Sequence, residues 1–296
     1  MIVAMVGPTA SGKTSLSLKL AKRFRGEIIS ADSRQVYRGM DIGTGKVTKR
    51  EMRGVRHHLL DVAEPQKTFT VEQYRKIGKK TIKQILTRGN LPIVVGGTGF
   101  YIDSLLYDYP LPAVKPNKTL RRTLEKQSTQ KLFMQLQRLD PARAKTIDRH
   151  NPRRLIRALE IVLATGQPVP SRESVLARTA SCPVLKIGLN PDPATLKKNI
   201  SVRLHKRLKQ GMIREVQRLH ENGVSRQRLD SLGLEYRYVS RYLRSLTTRE
   251  VMIATLEKEI WHYAKRQMTW FKRDPEIHWV KDTKQASALI KAFIKK

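Results

Sequence analysis

The residues Gly7-Pro8-Thr9-Ala10-Ser11-Gly12-Lys13-Thr14 place two glycines, a lysine and a hydroxyl at the spacing G-x-x-x-x-G-K-[ST]. Glycines let backbone N–H groups turn inward on phosphate oxygens, and a helix beginning at the lysine adds its dipole. Lys13 would supply a point charge, and the Thr14 hydroxyl a ligand for Mg²⁺ carried by the phosphates. The pattern points to a nucleotide or another di- or triphosphate without naming it. Nucleotidases of this kind usually carry a second acidic residue after a hydrophobic strand. Here Leu91–Val95 runs into Gly96-Gly97-Thr98, with no carboxylate. Asp32, after Ile28-Ile29-Ser30-Ala31, is the acidic residue best placed at a core strand end, where ligands gather in α/β sheets. It could hold a metal, cap the next turn or act as a general base.

The elements needed to position these groups are legible nearby. Ile2–Val6 and Glu27–Ala31 are short apolar runs that read as strands, and Ser15–Ala21 has helical character. Thr70-Val71-Glu72-Gln73 is a capping box, which predicts a helix from there to about Arg88, stopped by Gly89-Asn90. Strands alternating with helices argue for a parallel sheet covered on both faces. Pro110, Pro112 and Pro116 mark a boundary, after which the chain is helical in composition to about Gly166. Val184–Leu189 reads as a strand returning to the sheet, and Pro193–Lys272 reads as helices. The expected fold is α/β, a P-loop NTPase-like parallel sheet core (1–114 and 183–296) with a helical insertion domain (115–182).

Charge then narrows the partner. The 296 residues carry 59 Lys+Arg against 25 Asp+Glu, a net charge of +34. That is far above the magnitude of about 2–8 that keeps a small domain soluble, and it predicts a polyanionic partner such as nucleic acid. Residues 115–160 are densest, with 13 basic and 4 acidic residues. No window approaches the roughly 20 apolar residues of a spanning helix, and Met1–Val6 lacks a basic n-region, so a cytoplasmic protein without membrane contact is expected. Cys182 is the only cysteine, which excludes an internal disulfide and a Cys-based zinc finger. His57 and His58 lack acidic or Cys partners at ligand spacing, so packing and hydrogen bonding beside the sheet is preferred to metal binding. Trp261, Trp270 and Trp279 could stack on bases but are expected in the core.

Taken together, seven segments resemble the bacterial tRNA dimethylallyltransferase family, also called tRNA isopentenyltransferase. They are Gly7–Thr14, Ile29–Tyr37, Met40–Thr44, His57–Asp61, Gly96–Tyr101, Asn151–Glu160 and Tyr263–Phe271, and they occur in family order. The P-loop alone is shared by many unrelated enzymes. Asp-Ser-x-Gln-Val-Tyr, Gly-Gly-Thr and Ala-Lys-Arg-Gln-x-Thr-Trp together are specific. The resemblance implies transfer of a dimethylallyl group from its diphosphate to N6 of the adenosine next to the anticodon. It further implies Mg²⁺, a tRNA anticodon stem-loop as partner, and a monomeric enzyme.

By that resemblance Gly7–Thr14 and Arg203 would bind the diphosphate, Asp32 would take the amine proton and Thr98 would orient the acceptor. Asp32, Ser33, Arg34, Gln35 and Thr98 would surround the extruded base. Arg121, Arg153, Arg154, Leu155, Ile156 and Arg157 would hold the anticodon arm. The chain departs from the family at Ile260-Trp261, where Thr-Arg is common, and at Gly233-Leu234-Glu235-Tyr236, where Gly-Tyr-Lys/Arg is common. Two competing expectations are a small-molecule P-loop kinase and isopentenyl transfer to a free adenine nucleotide. The first needs neither +34 nor a Gly-Gly-Thr strand end, and the second gives a basic insert few phosphates to grip.

Overall fold

The computed structural model describes residues 1–107, 112, 114–170 and 182–295. The chain divides into two compact units, one of residues 1–106 and 180–296, the other of residues 107–179. Pro110 of the boundary prolines, and residues 171–181 of the expected insert, lie outside the described residues.

The larger unit holds six strands, β1 (Ile2–Val6), β2 (Gly26–Ser30), β3 (His57–His58), β4 (Leu91–Val95), β5 (Val184–Leu189) and β6 (Ile277–Val280). They form one sheet in the order β3-β2-β4-β1-β5-β6, and every pairing is parallel. β1 sits centrally, with Val3 opposite Ile93 of β4 and Leu185 of β5. All five residues of β1 are buried, as a strand covered on both faces requires. Helix Lys13–Arg23 turns Leu16, Leu20 and Ala21 onto this sheet. The connection from β1 runs to one side, to β2, while β4 connects to β5 on the other. Ligands bind at the carboxyl ends of strands where direction reverses in this way.

Helix Val71–Thr87 begins as expected. The Thr70 hydroxyl accepts from the Gln73 N–H, and the Gln73 carbonyl oxygen accepts from the Thr70 N–H. It packs on helix Gly99–Leu106 through stacked Tyr74 and Tyr101 rings, 4.2 Å between centroids. The base of the sheet is fastened by Glu27, which accepts from Arg88 Nε and Nη2, Asn90 Nδ2 and His58 Nε2. Burial pushes this carboxyl up, but those donors outweigh it and hold it down at about 2.

Three elements escape the sequence reading. β3 has two residues, His57 and His58, so no alternation marks it. β6 and the final helix Thr283–Ile294 extend the sheet and its cover, with Ala286 and Ile290 joining the main core. β6 joins the sheet by parallel pairing with β5, and just ahead of it Asp274 and Glu276 each lie 2.7 Å from the buried Lys186 of β5. None of the three tryptophans is in the buried core as expected: Trp261 and Trp270 are half-buried, and Trp279 on this edge strand is 38% exposed.

The smaller unit contains helices Lys118–Glu125, Thr129–Leu139, Pro141–Thr146 and Pro152–Thr165. Asn117, Ser128, Asp140 and Asn151 each cap one of them, accepting a hydrogen bond from an N–H in the first turn. Leu124, Leu132, Leu136, Leu155, Ile156 and Leu159 form its core. No described helix is long and apolar enough to cross a membrane.

Candidate active site

The loop after β1 has the backbone that its glycines permit. Gly12, just before helix Lys13–Arg23, is left-handed at φ 89° with open space around its Cα, so the bend itself requires glycine. Lys13 Nζ folds back on the loop, donating to Pro8 O at 2.5 Å and Ser11 Oγ at 3.4 Å. Arg203 arrives from helix Pro193–Lys209 and donates to the Thr9 hydroxyl. Asn199 of the same helix donates to Ala10 O. The Gly7–Thr14 loop is therefore held from across the chain.

Two cations crowd this loop. Burial, then the like charge of Arg203, push Lys13 down to about 7, with Asp32 pulling the other way. Burial, then Arg207, push Arg203 down to about 9, while Glu235 and Asp32 raise it. Lys13 keeps some exposed surface towards the cavity, but protein atoms surround its ammonium closely. Such a pair is costly unless an anion compensates it. The arrangement is suited to holding an anion.

Asp32 follows β2 and faces the same cavity of about 460 Å³ as Lys13, Thr14 and Arg203. Its Oδ1 accepts from the Arg34 N–H at 2.8 Å, which fixes the carboxylate over the turn. This is the cap reading of Asp32, and it leaves Oδ2 for other work. The Ser33 N–H donates to Thr98 Oγ1 at 3.1 Å, and the Thr98 N–H donates to Ala31 O. Gln35 accepts from Ser30 Oγ and donates to Gly45 O, so its amide ties the end of β2 to the turn at Gly45. Arg34 lies against Gly233, whose Cβ position is 3.6 Å from Arg34 Nε.

Helix Arg249–Phe271 closes the site and carries residues to which no role was assigned from sequence. Gln267 accepts from the Thr9 N–H at 2.8 Å and donates to Gly97 O at 2.8 Å. Trp270 donates to Asp103 and lies where a Cβ on Gly99 would be, at 2.1 Å. Tyr263 lines the cavity; burial, then Asp32, hold its hydroxyl well above its ordinary value. The signal was present in Ala264-Lys265-Arg266-Gln267 and Gly96–Gly99, but nothing in either segment reveals the other as its partner.

The loop Asp41–Gly43 hangs on Glu215, which accepts the N–H groups of Asp41, Ile42 and Gly43 and the Tyr236 hydroxyl. Arg207 donates to Gly43 O and Glu235. The departure at Glu235-Tyr236 thus belongs to a closed polar network. Trp261 lies beneath the ammonium groups of Lys197 and Lys265, 5.1 and 5.8 Å from its ring centre.

Ile28, Val47, Leu60 and Val95 give the cavity an apolar section, beside which His57 lies. Its Nδ1 is 2.9 Å from Val55 O, and burial lowers its basicity. Among the described residues, no group of three or more His, Cys, Asp or Glu side chains is placed to cage a metal ion. The Thr14 hydroxyl, beside the phosphate loop, suits an ion held largely by substrate oxygens.

In the smaller unit the expected RNA residues separate by face. Arg153 and Arg154 are exposed. Arg121 and Arg157 both bind the buried carboxylate of Glu160, at 2.7 and 2.6 Å. Burial pushes Glu160 up, but Arg121, Arg157 and the Asn117 N–H together hold it down at about 2. The side chains of Leu155 and Ile156, expected to touch RNA, are in the core instead. On a helix the positions after two exposed arginines turn inward, so these two act by packing.

An IPP transferase family model matches residues 35–274. A tRNA dimethylallyltransferase of Anoxybacillus flavithermus is 41% identical over 279 residues, 94% of this chain and 89% of that protein. One from Pelotomaculum thermopropionicum is 41% identical over 284 residues, covering 95% and 90%. The solved tRNA isopentenylpyrophosphate transferase of Bacillus halodurans superposes with a TM-score of 0.73 at 37% identity, over 99% of this chain and 95% of that one. A eukaryotic dimethylallyltransferase acting on tRNA gives 0.83 at 26% identity, over 99% and 79%. The fold, the anion site beside Asp32 and these matches agree, and the chain belongs to the IPP transferase family.

Proposed function

We propose that the chain transfers a dimethylallyl group from dimethylallyl diphosphate to N6 of the adenosine adjacent to the anticodon of tRNA, releasing diphosphate. The observation that supports this reading is the meeting, in one cavity, of the cationic loop residues Lys13 and Arg203 with the acidic side chain of Asp32. Lys13, Arg203 and the loop amides hold the diphosphate. As the allylic C–O bond breaks, its electron pair passes to the diphosphate oxygen, and these donors stabilise the growing charge more than the ground state. The adenine nitrogen forms the new C–N bond, and its proton passes to the Asp32 carboxylate. Mg²⁺ bound to the diphosphate and the Thr14 hydroxyl would supply further charge neutralisation.

The remaining residues place the acceptor. The adenine leaves its stack to enter the cavity, as targets of base-modifying enzymes do. Thr98 fixes the Ser33 backbone beside it, and Arg34 and Gln35 border it. The apolar section formed by Ile28, Val47, Leu60 and Val95 takes the prenyl group. Arg153 and Arg154 meet RNA phosphates, while Arg121 and Arg157, anchored on Glu160 and 36% and 38% exposed, offer their remaining surface to the same polyanion. The test is incubation with labelled dimethylallyl diphosphate, Mg²⁺ and either tRNA or AMP. Label in tRNA alone is expected. Label in AMP, or ATP-dependent phosphorylation without prenyl transfer, would overturn the reading.

A further inference from the structure

Gln267 joins, by its side chain, the loops that follow the paired strands β1 and β4. Its side chain is buried at 6% exposure, and both ends of its amide are used. The oxygen accepts from the Thr9 N–H of the phosphate loop, and the nitrogen donates to Gly97 O, one residue before Thr98. The amide orientation is set by its partners, because a backbone N–H only donates and a backbone carbonyl only accepts. An amide, with its acceptor and donor on one carbon, serves both at once. Gly97 is required on the other side, since a Cβ there would lie 2.1 Å from Gln267 Nε2.

Each end of this bridge continues into one half of the reaction site. Thr9 also receives Arg203 through its hydroxyl, so the diphosphate loop and its arginine meet where Gln267 is attached. Thr98, next to Gly97, accepts from the Ser33 N–H and borders the turn that carries Asp32. We infer that Gln267 is a positioning residue that couples the two sites: diphosphate in the cradle, by setting Thr9, fixes the Gly97-Thr98 loop in the geometry that receives the base. This deepens the proposed prenyl transfer and rests on it. Coupling between sites is reciprocal, so bound RNA should tighten diphosphate binding by the same factor.

The experiment measures affinity for an anticodon stem-loop RNA at neutral pH with and without saturating inorganic diphosphate and Mg²⁺. In the wild type, diphosphate is expected to tighten RNA binding roughly fivefold or more, at the lower end of ordinary coupling. Gln267→Met, similar in length but unable to make either bond, should bring that ratio close to one. Its affinity for each ligand alone should stay within a few-fold of the wild type, and its turnover should fall. A merely structural role would weaken both affinities and leave their ratio unchanged. If Gln267→Met does not fold, Gln267→Asn keeps the amide but draws it back by one methylene, and the same loss of ratio is expected.

A wild-type ratio of one, or a folded variant that keeps the wild-type ratio, overturns the inference. Absence of prenyl transfer to tRNA by the wild type sinks the underlying function instead, whatever the ratio.

Discussion

Raising the pH should loosen the diphosphate before it touches the chemistry. In the free protein Lys13 is depressed to about 7 by burial and Arg203, and Arg203 to about 9 by burial and Arg207. A bound diphosphate favours both cations, so the complex holds more protons than the free protein and affinity must fall as pH rises. Between pH 8 and pH 9 the protonated share of free Lys13 drops from about one in eleven to about one in a hundred, a loss of about ninefold. Arg203 contributes a little under twofold more, for roughly seventeenfold together. The assay is calorimetric titration with dimethylallyl diphosphate and Mg²⁺, without RNA, in two buffers of different ionisation enthalpy. About one proton should be taken up per ligand near pH 8. Lys13→Met should bind more weakly and keep only the shallow slope of Arg203. Affinity that stays constant over this range, with no proton uptake, would refute the reasoning that two crowded cations wait for an anion.

Four other outcomes are expected. Asp32→Ala should bind tRNA much as the wild type does but turn over about a hundredfold or more slowly, measured under single-turnover conditions. Glu160→Gln removes the carboxylate on which Arg121 and Arg157 converge, and should destabilise the helical unit by about 3–5 kcal/mol in denaturant titration. The same pairing predicts acid sensitivity. Glu160 sits below its unfolded value, so its contribution is present above about pH 4.5 and is lost as pH falls through about 2, which a pH series of melting temperatures reads directly. Arg153→Ala and Arg154→Ala should each weaken RNA binding at all sequences and lower the slope of log K against log salt by about 0.7–0.9, measured over a salt series.

The turn at Gly7–Thr14 and the helix after it could be read from the sequence because their shape is local. Gly7, Gly12, Lys13 and Thr14 act through backbone shape and adjacent atoms, so their spacing carries the information. Asp32 was placed by a strand end, which hydrophobic runs reveal. Arg203 came from family resemblance alone, and the structure brings it to Thr9, 194 positions away. Gln267 was inside a recognised segment, yet its partners Thr9 and Gly97 are 258 and 170 positions distant. No periodicity reports contacts over that range. Glu215 was hidden for the same reason, since it replaces a turn's missing acceptors from another helix.

Other differences have simpler origins. Leu155 and Ile156 sit in a run of arginines, and proximity in sequence suggested a shared surface. Helical geometry instead turns them onto Leu132 and Leu136 while Arg153 and Arg154 face water. β3 is too short to have a pattern, and β6 (Ile277-His278-Trp279-Val280) buries only its ends. The strand at the far edge is fixed by a long-range ion pair at Lys186, which hydropathy hides by scoring that lysine as polar.

Where the acceptor amine sits relative to Asp32 decides the chemistry most directly. A crystal structure of the Asp32→Asn protein with diphosphate, Mg²⁺ and an anticodon stem-loop would locate it. The adenine adjacent to the anticodon is expected to be extruded, with N6 within about 3 Å of the side chain at position 32, while diphosphate occupies the Gly7–Thr14 loop. Diphosphate in that loop with the adenine still stacked, or with its N6 turned away from position 32, would contradict it.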